Sequence, residues 1–528
     1  MNRRDYLTLA GATAALVAGA GCGRVGQRVV KAREPVGSDQ WAVDRGDRTG
    51  SAVDRPTLST DHSPLITAHW LLNRAAYGPA PGDLDRLTDM GRDAWVEEQL
   101  RAPKATGVPS LVGLGLGALT GGDSGDDAGG ETPGLLYRLA GIEPLHFSTY
   151  EQRDWPEEKI REALTQAALL RAVYSKWQLR ERMVAFWGDH FNIYGPKVID
   201  FGEAYATTHL TYYLNTDQND VIRTHALGRF PDLLQASARS PAMLGYLDNQ
   251  RSMNGTANEN YAREIMELHT LGVGGGYTQK DVQEVARCLT GWGVEDRFYK
   301  KRGTFRFVPG KHDNSAKKVL GETIPAGGGI KDGEAVLAIL AKHPSTARFI
   351  SRKLVRHFRG DENAAWVDRL AVIYAKTGGD IAAMLRPLLL ADDLADAPPI
   401  LKRPWDYVVS ALRATDADTD AGENLQGFLR NIGQPLFEWP MPDGYPEKTA
   451  SWTGSLLARW NFAFALTAGQ IERTALPERL MKAKDFKRLV AMVSGATPDA
   501  AAKKAIGAAK SGAEAMALAL CAPGFQWR

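Results

Sequence analysis

The chain has 528 residues, 44 % of them hydrophobic and 24 % charged, with a formal net charge of +2. That is the balance of an ordinary globular protein, and it argues against nucleic acid or an acidic membrane surface as a partner of the whole chain. Three cysteines are too few for a disulfide framework, and the length exceeds one typical domain without a boundary that separates two cores.

Residues 1–22 read as an export signal. Arg3-Arg4 followed by Asp5-Tyr6-Leu7 resembles the twin-arginine motif, and Leu7 to Ala20 is a weakly apolar run. That run is shorter than the about 20 apolar residues a membrane-spanning helix needs. Gly21-Cys22 suggests a lipoprotein cleavage point with Cys22 acylated, although Gly19 stands where a branched apolar residue is usual. The expected location is extracytoplasmic, anchored to the outer face of the cell membrane through Cys22, or secreted if that cysteine is not acylated. Residues 23–62 are polar and aperiodic, which predicts a flexible linker.

A helical domain is expected over residues 63–470. It opens with Ile66, Trp70, Leu71 and Leu72, then Asn73-Arg74-Ala75-Ala76-Tyr77-Gly78. Pro81 to Leu84 and Trp95 to Leu100 supply a second helical segment. The Gly/Asp-rich run at 113–134 reads as a flexible, exposed insertion. Residues 157–195 are strongly helical and lead into Phe186-Trp187-Gly188-Asp189-His190-Phe191. Helices continue over 203–247, a stretch that contains His225.

Asn258 to Trp292 reads as a helical hairpin. Asn258 suits an N-cap, Glu259 suits the positive end of the helix dipole, and Gly272 suits a C′ residue. At about 100° per residue, Tyr261, Ala262, Ile265 and Leu268 share a core-facing side, with Arg263, Glu264 and Glu267 opposite. Glu264 and Glu267 stand at i,i+3, so their carboxylates can converge. His269 lies roughly 160° from Glu267 on the wheel and cannot join them on one ion. The alternative to a carboxylate site is that Arg263 pairs with Glu264 or Glu267. Gly274-Gly275-Gly276 reads as a tight turn or as an anion-binding loop; no G-K-[ST] follows it, so it is not a Walker loop. Thr278 and Asp281 form a capping-box variant for the second helix, whose apolar stripe is Val282, Val285, Ala286 and Leu289.

Residues 297–325 change character. Tyr299, Phe305, Phe307 and Val308 predict a small β excursion, followed by His312-Asp313 in a loop. Helices resume at Asp332 to Leu340, Ser345 to Phe358, Asn363 to Tyr374 and Ile381 to Leu390. Pro404 opens a further helix. Residues 433–463 are rich in proline and aromatics, notably Phe437, Trp439, Tyr445 and Trp452, which either pack the loop or stack on sugar rings. Residues 471–528 read as C-terminal helices packed on the same domain. Cys288 reads as a small buried residue, and its pairing with Cys521 is left open. The fold class is therefore mainly α, a multi-helix globular bundle with a small β excursion.

Several motifs stand in order along the chain: L-N-R-A-A-Y-G (Leu72 to Gly78), H-x-L-G-x-F (His225 to Phe230), P-A-M-L-x-Y-L-D-N (Pro241 to Asn249), the hairpin, and His312-Asp313. T-A-R-F-I-x-R-K-L (Thr346 to Leu354) and G-Q-P-L-F (Gly433 to Phe437) follow. Together they resemble the bacterial "domain of unknown function 1800" family over most of residues 65 to 470. That family usually shows F-W-H-N-H-F where this chain has Phe186 to Phe191, so Gly188 and Asp189 depart from it while His190 remains. The resemblance implies an exported protein without an assigned reaction. It also implies a neighbour related to phosphatases and sulfatases as a partner.

Two function classes follow. One is a metal-assisted hydrolase of the cell envelope, with a divalent ion held by candidates among Glu264, Glu267, His190, His225 and His312. Glu264, Glu267, His312 and Asp313 are its catalytic candidates. No H-E-x-x-H spacing fixes such a site, and no G-x-S-x-G supports a serine hydrolase. The other is a non-catalytic envelope protein that binds polysaccharide or scaffolds the phosphatase- or sulfatase-like partner. Enzymatic activity is open on sequence alone.

Overall fold

The computed structural model describes residues 64–103, 131–149, 151–200, 207–295, 303–479 and 500–528. The expected export signal with Cys22, the expected linker to residue 62, Tyr299 and most of the 113–134 run lie outside the described residues. What is described is mainly α-helical.

The first helices are α1 (Pro64–Ala75), α2 (Asp83–Met90), α3 (Arg92–Leu100), α4 (Pro133–Ala140), α5 (Glu157–Tyr174) and α6 (Gln178–His190). The strands β1 (Val198–Ile199) and β2 (Thr208–His209) pair antiparallel, and α7 (Thr211–Thr216) widens into a π-helical turn over Asp217–Arg223. Next come α8 (Phe230–Ala238), α9 (Pro241–Tyr246), and the hairpin helices α10 (Glu259–Glu267) and α11 (Gln279–Cys288). Two small antiparallel pairs follow, β3 (Trp292–Val294) with β4 (Phe305–Phe307), and β5 (Lys317–Val319) with β6 (Glu322–Ile324).

The second half holds α12 (Ile330–Lys342), α13 (Pro344–Arg359), α14 (Ala364–Thr377), α15 (Ile381–Leu389), α16 (Pro404–Ala414) and α17 (Glu423–Ile432). It ends with α18 (Leu456–Thr467), α19 (Ala500–Gly507), α20 (Gly512–Cys521) and α21 (Pro523–Gln526). A last pair, β7 (Asp418–Thr419) with β8 (Thr474–Ala475), ties the segment after α16 to the chain beyond α18. Helix α18 lies along α20, which sets the C-terminal helices against the same core.

Every residue of α16 is buried, which is how a helix without a polar face behaves at the centre of a large core. Its two charged side chains are matched: Arg182 on α6 donates to Asp406 at 2.6 Å, and Arg413 donates to Asp83 at 2.7 Å. Helix α6 is almost as deep. Leu179, Met183, Phe186, Trp187 and His190 turn one side of it into core, and each large ring so buried contributes about 1.5–3 kcal/mol. Glu181, also on α6, takes Arg223 across two bonds of 2.6 and 2.8 Å. The π-helical turn is what carries Arg223 to that position. Buried ions are tolerated here because they are paired and bonded.

The hairpin follows the expected chemistry with one difference. Asn258 caps α10 by accepting from Asn260 and Tyr261, and Thr278–Asp281 form a capping box for α11. However, α10 ends at Glu267 rather than running to Gly272. There the backbone widens, with His269 N and Leu271 N bonding to Glu264 O and Met266 O, while the Thr270 hydroxyl takes Ile265 O at 2.7 Å. Met266 is thereby drawn into the core and Leu268 is left half-buried. The triple glycine is a tight turn: Gly274 and Gly276 have φ of 78° and 91°, and a Cβ on Gly275 would meet Leu271 Cβ at 2.4 Å. Cys288 is buried as expected, and both Cys288 and Cys521 are free thiols.

Two predictions follow from this packing. Gly275→Ala is expected to cost about 1–3 kcal/mol by overpacking. Gly274→Ala, with open space around it, is expected to cost only the left-handed penalty of about 1–2 kcal/mol. Urea unfolding of the two variants measures the difference. For Glu181, burial works against the charged form, but Arg223 and Arg180 overcome it and hold the carboxyl at about 2. A carboxyl depressed on folding adds stability above its ordinary value near 4.5, lost as pH falls from there towards 2. Denaturation curves across that window should lose roughly 3 kcal/mol of stability that Glu181→Gln no longer shows. The variant itself should be about 3–5 kcal/mol less stable at neutral pH, because Arg223 is left buried without its partner.

Candidate functional site

The described carboxylate and imidazole candidates do not meet. Glu267 takes Arg263 at 3.5 Å and the Tyr277 hydroxyl, while Glu264 sits beside it on the half-exposed side of α10. His190 is spent on both sides: Lys353 Nζ donates to its Nδ1 at 3.1 Å, and its Nε2–H donates to His269 O at 3.1 Å. Burial, with Lys353 and His269 beside it, holds its imidazole well below the usual histidine range and keeps it neutral. His225 stands half-buried just after the π-helical turn.

The His312-Asp313 loop is closed rather than open. His312 Nδ1 donates to Thr290 O at 2.8 Å, and its Nε2 faces Asp332 Oδ2 at 3.1 Å. Lys317 donates to the same Asp332 oxygen at 2.6 Å. Asp313 takes Arg287 Nε at 2.7 Å, and that contact holds its carboxyl far below the usual aspartate range. These bonds pin the β5–β6 pair to α11 and α12. Among the described residues, no group of three or more His, Cys, Asp or Glu side chains is placed to hold a metal ion.

A different region has the features of a site. A cleft of about 740 Å³, mouth included, opens between α5, the C-terminal half of α6, the end of α7 with its π-helical turn, the start of α16 and the loop from Gln434 to Tyr445. Its charged walls are the pairs Glu181–Arg223 and Asp189–Arg403. Its rings are Tyr77, Trp405, Phe437 and Tyr445. Helix α6 splits its own C-terminal run between two environments. Gly188, Asp189 and Asn192 reach the cleft, while Trp187, His190 and Phe191 pack among Phe230 and His269.

Three local features mark the cleft. First, burial raises the Asp189 carboxyl above the usual aspartate range against the pull of Arg403, although a quarter (25 %) of its side chain still meets solvent. A carboxyl perturbed by burial and by one partner in a cleft is a functional candidate. Second, Phe437 adopts φ of 63°, a strained conformation for a bulky residue. Its carbonyl accepts from Gly195 N at 2.8 Å, which holds the loop in place. Third, π-helical turns are uncommon and occur often at functional sites.

The loop can approach α6 only because Gly444 has no side chain, since a Cβ there would meet the Asp189 carbonyl at 2.2 Å. Asn192 fixes the same loop by donating to the carbonyls of Trp439 and Met441 at 2.9 and 2.7 Å, and its Oδ1 has no hydrogen-bond partner among the described residues. Gln434 Oε1 accepts from Trp405 N at 2.9 Å, and its amide hydrogens have no acceptor among the described residues. Tyr445 and Trp452 form a small buried cluster with Leu401, and Trp439 is packed against it. The aromatic loop is therefore largely self-packed, and Tyr445 also faces the cleft.

None of the metal or catalytic candidates lies on this cleft, although Phe437 and Tyr445 of the aromatic loop and the neighbours of His190 do. Its residues Glu181, Arg223 and Arg403 carry no local motif chemistry. Two signals were present: the departure at Gly188-Asp189, and the G-Q-P-L-F run that supplies Gln434 and Phe437. No curated protein and no solved structure matches this chain. A family of proteins of unknown function does match, over residues 70–527, and with nearly the whole described body inside that match the chain belongs to this family, DUF1800.

Proposed function

We propose that this chain is an exported, non-catalytic binding protein whose cleft takes an uncharged, polyhydroxylated ligand of the polysaccharide class. The observation that carries this reading is the cleft wall, where charge-balanced pairs stand beside unspent amide groups and aromatic rings. Hydroxyl groups need donors and acceptors together with little net charge. Carboxylate–guanidinium pairs and the Asn192 and Gln434 amides offer both. Sugar rings have apolar faces that lie against aromatic side chains; Phe437 is the half-buried ring of this wall, while Tyr77, Trp405 and Tyr445 line it almost fully buried.

One observation favours a hydrolytic reading, the raised carboxyl of Asp189, which suits a proton donor. A glycoside hydrolase needs a second carboxylate that is free to act. The other carboxylate of this cleft, Glu181, has both oxygens held by Arg223, so binding is the better supported function.

The test is a titration of the full chain with neutral malto-, cello- and chito-oligosaccharides, read by tryptophan fluorescence because Trp405 lines the cleft. Saturable binding by at least one series is expected. Gly188→Trp fills the cleft from a position whose Cβ meets nothing within 4 Å, and should weaken binding at least ~10-fold with unfolding unchanged. Absence of binding in every series, or binding indifferent to Gly188→Trp, would contradict the reading.

A further inference from the structure

Behind the cleft wall lies a charged cluster that ligand binding does not use. Arg74 on α1, Arg182 on α6, Lys402 just before α16 and Arg528 after α21 come from four separate stretches, and none is more than 5 % exposed. The guanidinium of Arg182 lies 4.7 Å from the centre of the Tyr77 ring, so the cluster sits directly beneath that wall. Among the described residues one side-chain carboxylate is bonded within it: Asp406 takes Arg182 at 2.6 Å and has Arg528 Nε at 3.4 Å. Arg403 nearby is matched by Asp189 in the cleft and adds nothing to balance the others.

The hydrogen bonding is as uneven as the charge. Arg74 spends its terminal nitrogens on the carbonyls of Phe358 and Pro398 at 3.2 and 2.6 Å, and Arg528 spends Nη1 on the His357 carbonyl at 3.1 Å. Arg74 Nε, Arg528 Nε, and both Nε and Nη2 of Arg182 are buried with no hydrogen-bond partner among the described residues. Lys402 Nζ rests 3.9 Å from the centre of the Phe525 ring. Unmatched buried cations and unspent buried donors are each unfavourable, and one bound anion would relieve both.

We propose that this cluster holds a small inorganic oxyanion, phosphate or sulfate, as a structural ligand gripped by Arg74, Arg182 and Arg528 with Lys402 alongside. Guanidinium forks match the paired oxygens of an oxyanion, and charge-assisted bonds of this kind are the strong ones. Burial, with the surrounding arginines, lowers Lys402 to about 7, and an anion beside it returns it to the ammonium form. The site ties α1, α6, α16 and the segment after α21 together below the cleft.

The experiment uses the full chain, exchanged into phosphate- and sulfate-free buffer. Ion chromatography measures oxyanion released on denaturation, and thermal unfolding is followed against phosphate with chloride at matched ionic strength. Near-stoichiometric release is expected, with a melting temperature that climbs with the logarithm of phosphate concentration, as for any ligand bound only by the native state. Arg182→Gln would strip Asp406 of its closest partner and unsettle the fold, so Lys402→Met carries the test. It should weaken the phosphate response by about tenfold or more, the scale of one lost charge-assisted contact, and abolish the retained oxyanion. Two results would overturn the proposal. One is no released anion together with a Lys402→Met chain that melts higher in every salt, as relief of an unmatched cation would produce. The other is an equal response to chloride and phosphate, which would remove the oxyanion class.

Discussion

The arrangement depends on how one histidine is held. His190 is the last residue of α6, and its ring is fixed from both sides, by Lys353 on α13 and by the backbone of His269 at the end of α10. These bonds join three helices at one point and settle the rotation of the α6 terminus. With His190, Trp187 and Phe191 turned into the core, Gly188, Asp189 and Asn192 have only the opposite side to occupy, and that side is the cleft. Lys353 also feels Asp189 and Glu447, so it lies electrostatically between the core contact and the cleft wall.

The distribution of charge follows the same division. On the hairpin side, charged groups are satisfied locally, as in Arg263–Glu267, Arg287–Asp313 and the Lys317–Asp332–His312 group, and they serve to lock loops. On the cleft side, the carboxylates are held by arginines arriving from distant elements, Arg223 from the π-helical turn and Arg403 from the start of α16. Local pairing locks loops, whereas long-range pairing brings separate elements together along the cleft. Beneath it, the excess cations around Asp406 make the packing of α16 a matter of electrostatics as well as of apolar burial.

Much of the fold was legible in the sequence because it rests on local chemistry. The capping box at Thr278–Asp281, the Asn258 cap, the apolar stripe of α11 and the limits of α12 to α15 follow from side chains within a few residues of each other. The end of α10 was misplaced because a widened turn closed by the Thr270 hydroxyl leaves no pattern distinct from a glycine cap. The strand pairs β1–β2 and β7–β8 have two residues in each strand, too short for any alternation to show. The candidate site was legible only at its edges. Glu264, Glu267, His312 and Asp313 were chosen for local density, and density on one helix or loop is what surface and loop-locking ion pairs also produce. The cleft draws Glu181, Asp189, Arg223 and Arg403 from segments up to 222 residues apart, a juxtaposition that only folding reveals.

The most direct test of the account is the state of the His190 ring, read by nitrogen-15 NMR of histidine-labelled protein with His190→Gln used for assignment. The account predicts two separate ring nitrogen signals, a protonated Nε2 and an unprotonated Nδ1, constant from about pH 5 to 8 because the folded-state pKa lies well below its ordinary value. They should also be unmoved by added zinc or manganese. A ring that titrates in that range, or whose Nδ1 or Nε2 signal shifts on metal addition, would contradict it. His190 would then be an open ligand, and the division of α6 between core and cleft would fail with it.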